Sequence, residues 1–193
     1  MTDREQAGDE IARVRTRDGR EVLVRRLREE DRAALEAFGA RLPRDDWLYL
    51  DLDFQSPTTI NRLVNATEAS NWRQLIALVG DEIAGYANVR LLPGWRRHVG
   101  DIALAVGEGY RCSGIGSVLA EAILAVAPEL GVSKLILEII EEQSAGRQIF
   151  KRLGFRLEGL LEDHAVDYAG ARRNLILLAY HYPRPAADVP SSP

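Results

Sequence analysis

The sequence predicts an α/β protein of the mixed kind (α+β), with one mostly antiparallel sheet carrying helices on both faces. Three observations carry that expectation. Short apolar runs of strand length are interleaved with longer runs of helical period. Turn dipeptides, Asp18-Gly19, Gly80-Asp81 and Ala169-Gly170, separate successive strand-like runs and imply hairpins. The apolar run Ile102-Ala103-Leu104-Ala105-Val106 passes through a loop with two glycines into a helix-like run at 118–127.

The elements follow in order. Strands are expected at 13–17 and 21–26, where Val22 and Val24 alternate with polar neighbours. A helix at 29–41 opens on acidic residues, places Leu35, Phe38 and Leu42 on one face, and stops before Pro43. Ser56-Pro57 reads as cap and first residue of a second helix, running through Ile60, Leu63 and Val64 to about Ala69. Strands are expected at 74–79, 83–92 and 99–106, with Pro93-Gly94 turning the chain between the last two. The third helix ends near Pro128 or Gly131. Then come a strand at 135–140, a helix at 143–153, and two closing strands at 156–166 and 172–182. At 193 residues this is one domain's length. The domain is expected over 13–182, between disordered ends at 1–12 and 183–193.

Composition excludes several classes. The formal net charge is −4, so there is no electrostatic case for a nucleic-acid partner. Cys112 is the single cysteine, which forbids an internal disulfide and fits a reducing compartment. No apolar run approaches the ~20 residues of a membrane span. The first ten residues are polar and charged, unlike a secretory signal. A soluble cytoplasmic protein, monomeric or homodimeric, is expected. His98, His164 and His181 show no metal-ligand spacing, so no metal is expected.

The loop Tyr110-Arg111-Cys112-Ser113-Gly114-Ile115-Gly116-Ser117 carries the chemistry. A helix N-terminus offers unpaired amides and the positive end of the helix dipole. Glycine lets backbone approach a ligand closely. A strand–loop–helix junction of this kind suits a polyanion such as a pyrophosphate, although two glycines in a loop also serve an ordinary tight turn. No Gly-Lys-Ser/Thr follows, so it is not a Walker loop, and the three-glycine dinucleotide spacing is missing. The pattern Arg111-x-x-Gly114-x-Gly116 resembles the acyl-CoA pyrophosphate loop of the GNAT acetyltransferase superfamily. Leu153-Gly154-Phe155 is similar to the Leu-Gly-Phe that ends the family's last helix. Arg17-Asp18-Gly19-Arg20-Glu21-Val22-Leu23-Val24-Arg25 resembles the opening of bacterial protein-lysine acetyltransferase domains, and Asp31, Phe38 and Leu42 continue it. The stretch Leu42-Pro43-Arg44-Asp45-Asp46 departs from that branch.

The resemblance implies a GNAT-type fold in which two central strands splay apart, and acetyl-CoA as cosubstrate lying in the gap. It implies that Arg111, Cys112, Ser113, Gly114, Ile115, Gly116 and Ser117 surround the pyrophosphate, with Cys112 a bystander to the chemistry. Leu104, Ala105 and Val106 would pair with the pantetheine arm, and the amide of Val106 or Ala105 would polarise the thioester carbonyl. Asp101 stands where many members place a general-base glutamate, and Glu138 is the second candidate. A structural reading rivals each: a turn aspartate after Gly100, and a carboxylate paired on a sheet face. Gln143 takes the place of a pantetheine-binding asparagine. Phe150 takes the place of a tyrosine that protonates the leaving thiolate, which leaves that acid unassigned. His164, with Asp163 and Asp167, would border the acceptor. Trp47 and Tyr49 would line its pocket or pack in the core. The expected activity is N-acetylation of a primary amine by direct attack. The acceptor is a protein lysine or a small molecule; the alternative is a catalytically impaired acyl-CoA sensor.

Overall fold

A computed structural model describes residues 10–43, 52–167 and 169–183. Strands β1 (Glu10–Arg15) and β2 (Glu21–Arg26) form the first hairpin, and a 3₁₀ turn (Glu29–Asp31) leads into α1 (Arg32–Arg41). After α2 (Pro57–Asn65) come β3 (Trp72–Val79), β4 (Glu82–Leu91) and β5 (Val99–Val106). Helix α3 (Ile115–Val126), β6 (Lys134–Ile140), α4 (Ser144–Arg152), β7 (Arg156–Val166) and β8 (Arg172–His181) complete the order. The expected element types all form, and the differences lie at the ends. β1 starts at Glu10, inside the segment expected to be disordered. α2 stops at Asn65, four residues early, because Ala66 leaves helical geometry. Ser56 stands at its N-cap as expected, yet its side chain makes no capping bond. Trp47 and Tyr49 lie outside the described residues.

The eight strands form one sheet in the order β1-β2-β3-β4-β5-β6-β8-β7. Every neighbouring pair is antiparallel except β5 and β6, which are joined through α3 as a parallel pair requires. Side chains alternate across the sheet and build two cores. On one face Leu35, Phe38, Ile60 and Leu63 of α1 and α2 pack on Ile76, Tyr86 and Ala105. On the other, Leu119, Ile123 and Phe150 of α3 and α4 pack on Ala87, Ile102, Leu135, Leu137 and Ile139.

The sheet is interrupted at its centre. β5 and β6 pair only at Val99↔Lys134, Gly100↔Leu135 and Asp101↔Ile136. Beyond that point each strand keeps its outer neighbour: β5 stays on β4 to Gly85↔Val106, and β6 stays on β8 to Ile140↔Leu175. Residues 102–106 therefore diverge from residues 137–140, which is the expected splay. Gly100 fits at the fork because a Cβ there would stand 2.7 Å from Val89 and 2.8 Å from Leu135.

Candidate active site

The open arm of β5 leads into the glycine-bearing loop. Cys112 and Gly114 adopt left-handed geometry, with φ of 61° and 104°. The turn is pinned from within by Ser113, buried, whose Oγ donates to the Tyr110 carbonyl at 2.6 Å. Gly114 caps α3, and its carbonyl accepts from Ser117 N and Val118 N. Among the described residues, the amides of Cys112, Ser113, Gly114, Ile115 and Gly116 donate to no backbone carbonyl in the loop or cap. They cluster at the positive end of a twelve-residue helix, which suits them to an anion. The Ile115 side chain is fully buried, so only its amide serves the loop.

The two glycines do different work. Gly114 holds a conformation that L-residues resist, with open space where a Cβ would stand. Gly116 admits α4, since a Cβ would meet Ile149 at 3.2 Å. A side chain there would crowd the α3–α4 contact. Arg111 is exposed, and its Nε lies 3.4 Å from the Val106 carbonyl, so the side chain folds back along the strand end.

Asp101 and Glu138 occupy the two sides of the fork. Ala103 and Ala105 pack toward α1 and α2, so alternation places Asp101 on that face. Leu137 and Ile139 pack toward α3, which places Glu138 on the same face as Asp101. Asp101 is half-buried beside Ile136 at the last paired position, and Glu138 is exposed two residues beyond. Leu104 and Val106 are half-buried and Ala105 is buried, along the edge that β6 leaves unpaired.

Gln143 caps α4, its N–H donating to the Ile140 carbonyl at 2.9 Å and its carbonyl accepting from Arg147 N. Phe150 is a core residue, 4% exposed and edge-to-face with Phe155 at 5.1 Å. His164 and Asp163 lie on an irregular, exposed part of β7 between Leu161 and Ala165. Asp163 has φ 51° and its amide donates to Asn174 Oδ1. Asp167 accepts from the amides of Ala169 and Ala171 and pairs with Arg173 at 2.8 Å. Those bonds, the Ala171 amide first, hold its carboxyl below the usual carboxylate range. It serves as the anchor of the β7–β8 turn.

Sequence reasoning did not reach three residues that shape this region. Asn174 donates to Glu141 at 3.0 Å while receiving the Asp163 amide, tying the free end of β6 to β7. Arg90 stands opposite Asp101 in the β4–β5 ladder, with its guanidinium 5.6 Å from the Trp72 ring. Trp72 in turn donates from Nε1 to Asn88 Oδ1 at 3.2 Å. All three depend on cross-strand register, which has no signal in a single stretch of chain. No group of three or more His, Cys, Asp or Glu suited to a metal occurs among the described residues. No helix among them is long and apolar enough to cross a membrane.

Residues 27–155 match the model of the acetyltransferase (GNAT) family. The fold is similar to that of a GNAT-family acetyltransferase from Streptococcus pneumoniae, at 26% identity and a TM-score of 0.73, covering 83% of this chain and 99% of that one. It is also similar to a Salmonella typhimurium protein, described as an acetyltransferase and solved with its cofactor acetyl-CoA, at 18% identity and a TM-score of 0.73, covering 86% and 96%. A ribosomal-protein-alanine N-acetyltransferase from Brucella melitensis shares the fold at 22% identity and a TM-score of 0.70, covering 83% and 99%. Among curated proteins none matches the chain.

Proposed function

We propose, from the premise that this chain belongs to the GNAT acetyltransferase family, that it acetylates a primary amine by direct attack on acetyl-CoA in a ternary complex. The observation that carries this reading is the alignment of two features along β5. The ladder to β6 ends at Asp101, and the strand then runs to five amides grouped at the start of α3. The residues present fit the cosubstrate. The amides of residues 112–116 would hold the diphosphate. The β5 edge at residues 102–106 would pair with the pantetheine arm, as an added strand does.

The chemistry then follows from charge. A lysine-like amine of pKa about 10.4 costs roughly 4.6 kcal/mol to deprotonate at pH 7. Asp101, at the fork, takes that proton directly or through a water. The amine's alignment with the thioester supplies much of the acceleration. The nitrogen attacks the carbonyl carbon, and a β5 amide at Ala105 or Val106 stabilises the oxyanion. Collapse breaks the C–S bond; the first proton leaves through the base, and the second, carried by the nitrogen after attack, passes to solvent. Phe150 carries no ionisable group, so solvent protonates the CoA thiolate, a fair leaving group with a thiol pKa of about 8.5. The acceptor we assign is a lysine of a protein. Its aliphatic stem suits Ile136 and Leu177, which lie beside Glu138 on the open face.

The test is a thiol-release assay with acetyl-CoA over lysine peptides and small amines. Turnover on at least one amine is expected, with Asp101→Asn lowering kcat by about 10²-fold or more while acetyl-CoA affinity holds. A protein that binds acetyl-CoA tightly yet releases no CoA with any acceptor is a sensor, and the catalytic reading fails.

A further inference from the structure

The β4–β5 connection holds the most exposed aromatic residue described. Trp95 is 90% exposed at its tip, followed by Arg96, Arg97 and His98, all exposed. The side chain of neither arginine forms a hydrogen bond or ion pair among the described residues. Yet the tip is held in shape. Gly94–Arg96 forms a 3₁₀ turn closed by Arg97 N to Gly94 O at 3.2 Å. Leu92 N donates to Val99 O at 2.9 Å, and Ser133 N donates to His98 O at 2.9 Å, fixing both ends of the loop. A rigid, amphipathic, unpartnered Trp-Arg-Arg tip has the composition of an interface centre, where tryptophan and arginine carry most of the binding energy.

We propose that this tip docks an acidic segment of the polypeptide whose lysine is acetylated. The proposal rests on the acetyltransferase reading for where the lysine goes, and extends it to how a protein acceptor is chosen. Charge complementarity argues for the occupant. Asp101 at the fork and exposed Glu138 beyond it attract an ammonium, while Glu142 is paired with Arg173. The two unpaired guanidiniums precede β5 and attract carboxylates. Asp101 is the third residue of β5, about 7 Å along the strand from Val99. An extended peptide of about five residues spans roughly 17 Å, enough to lie from the fork to the tip. Nucleic acid fits poorly. Two arginines are few beside the roughly six to ten phosphate contacts of strong binders.

The experiment uses the full chain and a fluorescein-labelled dodecapeptide with one central lysine, carrying four aspartates or four serines on one side. Fluorescence anisotropy should show the aspartate peptide binding about tenfold tighter, and W95A/R96A/R97A should erase that preference without lowering Tm. In the acetylation assay the same variant should raise KM for the aspartate peptide about tenfold at unchanged kcat, and leave n-butylamine kinetics unaltered. Equal binding of the two peptides overturns the proposal. So does an oligo-dT strand that binds through the tip more tightly than the aspartate peptide. Tip-dependent peptide binding without acetyl transfer sustains docking and sinks the catalytic reading instead.

Discussion

At the scale of single residues, Gly114 and Gly116 look alike in the sequence but are required for different reasons. Gly114 has φ 104° and open space around a would-be Cβ, so a side chain there meets backbone strain alone. An L-residue in left-handed geometry costs about 1–2 kcal/mol. The loop relieves that strain by turning its amides away from a common centre. Gly114→Ala should therefore weaken acetyl-CoA binding about tenfold by calorimetry, with little change in Tm. A Cβ at Gly116 would stand 3.2 Å from Ile149, and the backbone there is ordinary helix. Gly116→Val should cost stability, about 1–3 kcal/mol from overpacking, read as a lower urea midpoint. Equal effects of both substitutions on affinity, with none on stability, would remove the distinction. The motif was legible in the sequence as two glycines at fixed spacing. Their separate roles were not, because one depends on a backbone dihedral and the other on a helix remote in sequence.

At the scale of elements, charged contacts join segments that the apolar pattern only places side by side. Arg25 on β2 grips Asp31 with two bonds of 2.7 Å, and Asp31 also accepts the Arg28 amide at 2.8 Å. Both side chains are nearly buried, at 13% and 8% exposure. Asp31→Ala removes both charge-assisted bonds from a nearly buried guanidinium and unties the start of α1, so it should cost about 3–5 kcal/mol by chemical denaturation. Glu158 on β7 is a milder case. Its bond from Lys134, then that from His181, holds its carboxyl below the ordinary value of 4.5. A carboxyl depressed in the folded state adds stability above its unfolded pKa and loses it as pH falls through the folded value. Glu158→Gln should cost less than 1 kcal/mol at pH 7, since the site is partly exposed. That difference should shrink as pH falls below the ordinary carboxyl range and through the depressed folded value, and a difference that stays constant as the pH is lowered would contradict the assignment. Hydrophobic period and turn dipeptides were enough to read every element's type. Ends were harder: the early stop of α2 and the early start of β1 follow from backbone geometry and cross-strand pairing, neither of which a local pattern carries.

At the scale of the whole molecule, the consequential feature is what the sheet leaves undone. A continuous ladder through β5 and β6 would satisfy the backbone of residues 102–106 and 137–140 internally, and the chain would lose the gap. The opening persists because each arm is held by its other neighbour, β4 or β8, and because α3 and α4 pack beneath the two arms. Groups left unpaired by the protein are matched when a ligand supplies the missing strand, so ligand binding adds directly to folding stability. At a concentration one hundred times its Kd, a ligand specific for the folded state contributes about 2.7 kcal/mol. For a chain of this size each kcal/mol raises Tm by roughly 2–4 °C. Saturating acetyl-CoA should thus raise Tm by about 5–11 °C. Hydrogen exchange should slow at residues 102–106 and 111–117, while β7 and its turn to β8 stay unchanged. On the proposed reading, in which main-chain amides hold the diphosphate, desulfo-CoA should give most of the same shift, and pantetheine alone little of it. A pantetheine shift as large as that of the full cosubstrate would move the source of affinity from the α3 terminus to the strand edge.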